Sequence, residues 1–303
     1  MNKFRSCFEY ILLRTASTAI EIMPLRVAYS FGRAIGKVLY LVDSRHKRVG
    51  MRNLKDVFGD KLTKTQRIQI LKQLYTHLGS VMIELIIVPK LVKRGEWRKI
   101  VSIDNLQEMR ETLQKKNPII LVTAHIGNWE IGSTVMKLLG CPIHPVARTM
   151  DNPLIDKYLT RLRKDGGGTI IKKHGSMRQT LKVLKNGGRI AVVADQNAPV
   201  DNVFVDFFGR KASVARGIAA LALKTNALII PGYSRRDPVS GKHQVILEKP
   251  IGIPSKGTTQ DKIIKITEAF TKRIESWILD NPDQWLWVHK RWKTRPPEEL
   301  KSE

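Results

Sequence analysis

The chain has 303 residues, which suits one large α/β domain or two smaller ones and is long enough to bury a sizeable hydrophobic core. Lys and Arg number 53 against 27 Asp and Glu, and the formal net charge of +26 indicates an anionic partner: nucleic acid, an anionic membrane or an acidic protein. Two cysteines, Cys7 and Cys141, cannot build a disulfide framework, and seven scattered histidines without metal-ligand spacing predict no metal site.

The first 60 residues combine interrupted apolar segments with a basic cluster. Apolar side chains recur at helical spacing in residues 4–12 and 27–38. Charged residues interrupt the apolar segments 10–23 and 27–42, so neither segment is a clean span of about 20 apolar residues. No small-residue cleavage site follows a short apolar region, which argues against a removed signal peptide. The basic residues that follow are Arg45, His46, Lys47, Arg48, Arg52 and Lys55. We expect residues 1–60 to form helices associated with an anionic membrane; the alternative is helices buried against the protein.

Residues 63–88 have the pattern of an amphipathic helix. Thr63 is a candidate N-cap, and Gln66 three residues later completes a capping box. Leucine and valine recur along one face, and Pro89 is expected to end the helix. Glu84 lies within the apolar stripe, and we interpret it as a solvated flank without a function.

A histidine follows the next predicted strand. The apolar residues 119–122 predict a buried strand that ends just before His125, and Gly127 and Asn128 predict a tight turn before a helix. Open α/β sheets bind ligands at the carboxyl ends of their strands. Glu130 is close enough across such a turn to hydrogen-bond and orient the imidazole, which could then remove a proton from a hydroxyl. The alternative is a buried histidine with a structural role.

The spacing of His125 and Glu130 is weakly specific by itself. A second His-x4-Glu, at His243 and Glu248, lies in an alternating segment typical of a strand, where positions five apart point to opposite faces. The context of strand, turn and helix therefore separates the first pair from the second.

Residues 118–250 alternate between strand-like and helix-like segments. Strands are predicted over 118–124, 142–148, 168–172, 189–194, 228–234 and 243–249, and helices over 129–139, 152–164, 175–186 and 212–225. A further amphipathic helix is predicted over 258–279. The alternation predicts an α/β fold with a mostly parallel sheet flanked by helices, which we assign to residues 61–303. No glycine-rich nucleotide fingerprint follows a strand.

Polar residues end two other predicted strands. Arg148 closes one of them near the level of His125 and could hold a phosphate through its planar fork of donors; the alternative is a surface arginine. Asp195 and Gln196 end another strand and could bind sugar hydroxyls or fix neighbouring groups; the alternative is a turn with an Asp cap.

The C-terminal segment places Trp285, Trp287 and Trp292 among basic residues. Trp with Lys and Arg is typical of membrane interfaces, and aromatic residues among basic ones can also stack nucleic-acid bases. We expect some of these tryptophans to be buried and the basic groups to lie near lipid headgroups or an acidic donor.

Several ordered segments together resemble one family. Residues 123–130, Thr-Ala-His-Ile-Gly-Asn-Trp-Glu, are similar to the His-x4-Asp/Glu block of the bacterial lipid A biosynthesis acyltransferases, the lauroyl and myristoyl transferases that add late acyl chains. Similar segments follow the same order at residues 53–54, 145–148, 152–154, 194–196, 207–210 and 284–296. The resemblance covers nearly the whole chain, which makes it far more specific than the single motif.

The resemblance implies a glycerolipid acyltransferase-like fold with N-terminal membrane-associated helices, at the cytoplasmic face of the bacterial inner membrane. It implies acyl transfer from an acyl carrier protein thioester to a hydroxyl of a phosphorylated glycolipid, a lipid A precursor, without an acyl-enzyme. His125 would be the general base, Glu130 would orient it, and backbone N–H groups of the following turn would face the oxyanion. No metal or organic cofactor is expected, because a thioester is already activated. The predicted substrate-binding residues are Asn128, Arg148, Asp195 and Gln196.

Two alternatives stay open from the sequence. The acceptor could be a lysophospholipid or a phosphatidylinositol mannoside, with the same chemistry. A basic, membrane-tethered nucleic-acid-binding protein would explain the charge and the tryptophan-rich tail, but it would leave the His125 segment without a purpose, and no nucleic-acid motif is present.

Overall fold

The computed structural model describes residues 3–103, 106–113, 117–172 and 176–299. The strands are β1 (Val101–Ser102), β2 (Ile119–Thr123), β3 (His144–Ala147), β4 (Ile171–Lys172), β5 (Arg189–Val193), β6 (Asn202–Phe207), β7 (Arg210–Ala215), β8 (Leu228–Arg236) and β9 (His243–Leu247). Seven of them form one sheet in the order β1-β9-β8-β2-β5-β3-β4, parallel throughout except for the antiparallel pair β8–β9. The predicted α/β class with a mostly parallel sheet flanked by helices is confirmed.

The helices cover both faces of this sheet and extend beyond it at the N-terminus. They are α1 (Lys3–Ile22), α2 (Leu25–Val42), α3 (Ser44–Phe58), α4 (Lys64–Lys93), α5 (Leu106–Leu113), α6 (Ile131–Leu138), α7 (Pro153–Gly166), α8 (Ser176–Lys185), α9 (Gly217–Thr225) and α10 (Thr259–Asp280). The predicted capping box begins α4, with the Thr63 hydroxyl accepting from the Gln66 N–H and the Gln66 side chain accepting from the Thr63 N–H.

Side chains on the two faces of the sheet build two hydrophobic clusters. On β2, Ile120 and Val122 belong to the cluster beneath α8, α9, α10 and the first half of α4. Ile119 and Leu121 belong to the cluster beneath α5, α6 and the second half of α4. A strand buried on both faces is apolar at every position, which is why residues 119–122 form a continuous run.

Two sequence predictions about element boundaries are wrong. Helix α4 continues past Pro89 to Lys93, at the loss of one backbone donor. Residues 212–215, the predicted start of the helix over 212–225, belong to strand β7, because β6 and β7 pair across a two-residue turn at Phe208 and Gly209, both with positive φ. The first residue of the helix predicted over 175–186 lies outside the described residues.

The N-terminal helices pack on α4 and leave apolar side chains exposed. Gly32 and Gly36 of α2 lie against Gly79 of α4, and a Cβ atom at any of the three would come within 3 Å of backbone atoms in the facing helix. Small residues therefore allow the two helices to pack closely. The exposed apolar side chains of α1 and α2 include Phe4, Phe8, Ile11, Leu12, Ile22, Val27, Phe31, Val38 and Val42. Of the described helices, α4 alone is long and apolar enough to cross a membrane, and 61% of its apolar window is buried inside the protein.

Candidate active site

Parallel strand register brings His125 beside Asp195. In the register of β2 and β5, Thr123 is paired with Val193. His125 and Asp195 each lie two residues after these paired positions, so their side chains meet at the carboxyl edge of the sheet. The Nδ1–H of His125 donates to Oδ1 of Asp195 at 2.8 Å, and the backbone N–H of His125 donates to Oδ2 at 2.9 Å. The indole N–H of Trp285 donates to the same Oδ2 at 2.7 Å. Three donors therefore hold the carboxylate, and the carboxylate holds one orientation of the imidazole.

The electrostatics of this pair suit a general base. Burial of Asp195 alone would raise the pKa of its carboxyl, but the adjacent imidazole and the N–H donors outweigh burial and lower it. Burial alone would lower the pKa of His125, but Asp195 outweighs burial and raises it above its ordinary value. The ionised carboxylate fixes the tautomer with hydrogen on Nδ1, which leaves the Nε2 lone pair able to accept a proton.

Glu130 does not make the hydrogen bond that the sequence analysis assigned to it. Its two carboxylate oxygens accept from the guanidinium of Arg163 in α7, at 2.6 and 2.9 Å. The Nδ1–H of His125 is already donated to Asp195, which is 70 positions away in the sequence. Glu130 acts on the imidazole only through its charge, which favours the protonated ring and adds to the raised pKa of His125.

The turn after His125 is fixed by hydrogen bonds within the protein. Gly127 has φ of +55°, and a Cβ atom there would lie 1.9 Å from the carbonyl oxygen of Ser234. Its N–H donates to the carbonyl of Gln284 at 3.1 Å, and the N–H of Asn128 donates to the Ser234 hydroxyl at 3.0 Å. These N–H groups, together with that of His125, are already used, so they are not the oxyanion donors that the sequence analysis expected.

Asn128 and Glu84 form a buried polar network beneath the turn. Asn128 is 1% exposed; its amide donates to Oε2 of Glu84 at 2.9 Å, and its Oδ1 accepts from the Glu130 N–H at 3.0 Å. The Asn128 side chain thus builds the turn, and its polar atoms are not left for a substrate. Glu84 is fully buried, contrary to its interpretation as a solvated flank. Its other donors are Tyr29, Arg236 and His243.

The charge of Glu84 is stabilised by its partners. Burial alone would raise the pKa of this carboxyl, but His243 and Arg236 outweigh burial and hold the pKa well below its ordinary value. The nearby His77 donates from Nε2 to the carbonyl of Gly127 at 3.0 Å. Burial, with the charge of Arg236, lowers the pKa of His77 to about 4, so this ring is neutral at pH 7. The network therefore holds the Glu84 carboxylate among hydrogen-bond donors, and it fixes the turn from below.

Of the two remaining predicted site residues, Gln196 lies beside His125 and Arg148 does not. The amide nitrogen of Gln196 lies 3.5 Å from Nε2 of His125, the atom that would take the proton. Arg148 is exposed, with 74% of its side-chain surface accessible, and its contact is with Asp151 at 3.1 Å. The structure thus brings Asp195 and Gln196 to His125, and it leaves Arg148 on the surface.

A narrow, mostly apolar slot begins next to the His125 ring. The ring packs edge to face on Trp129 at a centroid distance of 5.0 Å, and Trp129 lines the slot. The slot has a volume of about 110 Å³ and lies between the sheet and α6. Its apolar lining includes Leu121, Met136, Pro145, Val146, Val193, Val245 and Leu247. An apolar slot beside an oriented base fits a substrate with a hydrocarbon chain.

The C-terminal segment completes the site from the other side. The Leu286 N–H donates to the carbonyl of His125 at 3.0 Å, and Trp285 forms an antiparallel bridge with Ile126. Trp285, Trp287 and Trp292 are all buried, so none of them lies at a membrane interface as the tail's composition suggested. The basic residues between these tryptophans differ in exposure: Arg291 is buried and Lys290 is exposed.

Three residues that shape the site have no site role in the sequence predictions: Glu84, Arg163 and Trp285. One sequence feature does indicate the contact between His125 and Asp195: each of them lies two residues after the last residue of an apolar strand. That signal becomes a contact only if the two strands are neighbours in register.

Known proteins resemble this chain along most of its length. The chain is 26% identical over 279 residues to the lipid A biosynthesis lauroyltransferase of Escherichia coli (strain K12), covering 90% of this chain and 88% of that protein. It is 25% identical over 280 residues to the lipid A biosynthesis palmitoleoyltransferase of the same organism, covering 90% and 87%. The solved structure of the 1-acyl-sn-glycerophosphate acyltransferase from Thermotoga maritima matches 82% of this chain and 98% of its own, with a TM-score of 0.39 and 16% identity. The model of the bacterial lipid A biosynthesis acyltransferases matches residues 3–294, and the chain belongs to this family.

Proposed function

We propose that this acyltransferase moves a fatty acyl chain from an acyl carrier protein thioester to a hydroxyl of a lipid A precursor, and that His125 and Asp195 form its catalytic pair. The observation that carries the proposal is the buried Asp195 carboxylate, which fixes the tautomer of a histidine beside an apolar slot. The family membership supports the reaction class, and the geometry supports His125 as the base.

The proposed reaction needs no covalent enzyme intermediate. Nε2 of His125 removes the proton from the acceptor hydroxyl as its oxygen attacks the thioester carbonyl. The resulting imidazolium is stabilised by the Asp195 carboxylate at 2.8 Å, and the carbon–sulfur bond then breaks as the thiolate leaves and takes that proton. Gln196 is the polar side chain next to Nε2, and its amide is suited to hold an oxygen of either substrate. A general base supplies about 10²–10⁴ in rate, and positioning of the two lipids supplies much of the rest.

The slot is suited to the acyl chain of the donor. It begins at Trp129 beside the base and continues between α6 and the sheet among apolar side chains. At about 110 Å³ it must widen to hold a long chain, and the flexible side chain of Met136 is placed to move. Chain length would then be set by how far the slot opens, since each buried methylene contributes about 0.8 kcal/mol.

A basic surface near the C-terminal segment is suited to an acidic carrier protein. It is lined by Arg45, Arg48, Arg52, Arg210, Lys290 and Lys293, with Asp56 as the acidic side chain among them. The Asn53 amide ties this surface to the segment that packs on His125, through the carbonyls of Trp287 and His289. Complementary charge speeds association with an acidic partner and fixes its orientation. The carrier would therefore present its thioester from this side.

The exposed apolar side chains of α1 and α2 are suited to a membrane surface. Phe4 and Phe8 are 80% and 62% exposed, and basic residues of α3 follow in the chain. An apolar helix face next to basic residues binds an anionic lipid surface. We propose attachment at the cytoplasmic face of the bacterial inner membrane, where a lipid acceptor is available.

A transfer assay with a matched histidine control tests the proposal. The purified protein receives a radiolabelled acyl carrier protein thioester and a phosphorylated glucosamine lipid, and the product is quantified by thin-layer chromatography. We expect His125→Ala to lower kcat by about 10²–10⁴, whereas His144→Gln on β3 keeps wild-type activity. Retained transfer in His125→Ala would refute the assigned base. Transfer to a lysophospholipid that is faster than transfer to the glucosamine lipid would show that the lysophospholipid is the acceptor. Tight DNA binding without acyl transfer would favour the nucleic-acid alternative.

A further inference from the structure

A second groove lies between α2, α4 and the β8–β9 hairpin. Its volume is about 790 Å³, within the usual size range of ligand sites. Its lining is strongly basic, with Asp283 as the acidic side chain among six cationic ones: Arg26, Arg33, Lys37, Lys72, Lys99 and Arg236. This groove shares no lining residue with the apolar slot beside His125.

Most of these cations lack an acidic partner. Lys99 pairs with Glu96, and Arg236 pairs with the buried Glu84. The other four, Arg26, Arg33, Lys37 and Lys72, make no ion pair with any described residue. A concave surface with uncompensated positive charge concentrates anions. Guanidinium and ammonium groups together are the usual partners of phosphate oxygens.

The surroundings of the groove favour a lipid headgroup as its ligand. Helix α2 presents its basic side chains to the groove, while another side of the same helix exposes Val27, Phe31, Val38 and Val42. A helix with an apolar stripe and a separate basic face lies at the lipid–water boundary, with its cations at headgroup depth. Leu25 and Leu41 also line the groove and would contact the first methylenes of a bound lipid.

The groove is tied to the turn that carries the base. His77 lines it and donates to the carbonyl of Gly127 at 3.0 Å. Gln284 also lines it, accepts from the Gly127 N–H at 3.1 Å, and bonds the backbone of Arg236 through its side chain. A headgroup held here would lie against residues that are hydrogen-bonded to the turn two positions after His125.

We propose that this groove binds the phosphate-bearing headgroup of the lipid acceptor and so positions its hydroxyl near His125. The inference rests on the proposed function and locates one of its substrates. It replaces Arg148, whose guanidinium is exposed and contacts Asp151.

Removing two of the unpaired cations tests this assignment. Lys37 and Lys72 are both exposed, so the double variant Lys37→Gln/Lys72→Gln should fold, which a thermal melt checks. The matched control, Lys182→Gln/Lys185→Gln on α8, removes the same charge from exposed positions elsewhere. Direct binding of a phosphorylated glucosamine lipid is measured in neutral detergent micelles without the acyl donor, and again with the same lipid after phosphatase treatment.

We expect the groove variant to raise the Kd for the phosphorylated lipid about tenfold or more, because charge-assisted contacts to phosphate are lost. The KM for this lipid should rise in parallel with kcat little changed, whereas the dephosphorylated lipid and the control variant show no difference from wild type. Because binding is read without the donor, it tests the groove even if the wild type transfers no acyl chain.

Three results would overturn the assignment. Equal weakening by the control variant would show a general charge effect. A rise in the KM for the acyl carrier protein, with acceptor binding unchanged, would show that the groove docks the carrier. An equal loss of binding to phosphatidylglycerol vesicles, or to inorganic phosphate, would show a site for anions in general and not for the acceptor.

Discussion

Replacing Asp195 by Asn tests the proposed catalytic pair most directly. In the wild type, Oδ2 of Asp195 accepts two N–H groups, from the His125 backbone and the Trp285 indole, while Oδ1 accepts the imidazole Nδ1–H. The amide oxygen of Asn must take the position that receives two donors, so its NH₂ group faces Nδ1. The imidazole then has to accept at Nδ1 and carry its hydrogen on Nε2, where it has no lone pair for the acceptor hydroxyl.

The expected loss follows from the wrong tautomer. A triad that loses its carboxylate in the same way drops about 10⁴-fold in kcat, so we expect about 10³–10⁴ here, or about 4–5.5 kcal/mol in the barrier. The acid limb of the kcat/KM profile adds a second readout. The base must be neutral, and Asp195 raises the pKa of His125 above about 6.5, so wild-type activity should fall as the pH drops through that raised value. Without the carboxylate the limb of the residual activity should move to lower pH.

Trp285→Phe is the matched control for this variant. It removes one donor to the same carboxylate but leaves the tautomer of His125 unchanged, so kcat should fall less than about tenfold. Initial rates of acyl transfer, with thermal melts of both variants, provide the measurement. The proposed pair is refuted if Asp195→Asn keeps more than about a tenth of wild-type kcat while remaining folded.

Three further predictions address the surroundings of the pair. Arg163→Gln removes the cation that pairs with Glu130, so the negative charge left on Glu130 should raise the pKa of His125 further and move the acid limb of the pH–rate profile to higher pH. Glu130→Gln removes that negative charge and should move the acid limb to lower pH. Profiles of the two variants that shift in the same direction would contradict the influence of Glu130 on His125. Glu84→Gln leaves the half-buried Arg236 without its counter-ion and breaks a fully buried network, so it should lower the free energy of unfolding by about 3–5 kcal/mol in a urea titration. A change below about 1 kcal/mol would contradict the network. Gly132 lines the apolar slot, and a Cβ atom there meets open space, so the variant Gly132→Met should fold. Its longer side chain should fill part of the slot and shorten the acyl chain that the protein prefers in a competition between thioesters. An unchanged preference would show that the acyl chain binds elsewhere.

Local patterns in the sequence predicted most of the elements and the reaction class. Residues 119–122 are apolar at every position because β2 is buried on both faces, and this pattern can be recognised without a structure. The same holds for the capping box at Thr63, the alternation that predicts a mostly parallel sheet, and the motif around His125. These signals are local, because they depend on the spacing of side chains along one strand, one turn or one helix.

Which residues meet in the site depends on how distant segments pack together. The partner of the imidazole is Asp195 and not Glu130, because parallel pairing of β2 with β5 sets two distant strand ends side by side, whereas Glu130 faces Arg163 on α7. Glu84 sits on an amphipathic helix and could be solvated or buried by its pattern alone; packing of α4 against the sheet buries it. Strand order, register and helix packing depend on contacts between segments far apart in the chain, and residue spacing along one segment does not contain that information.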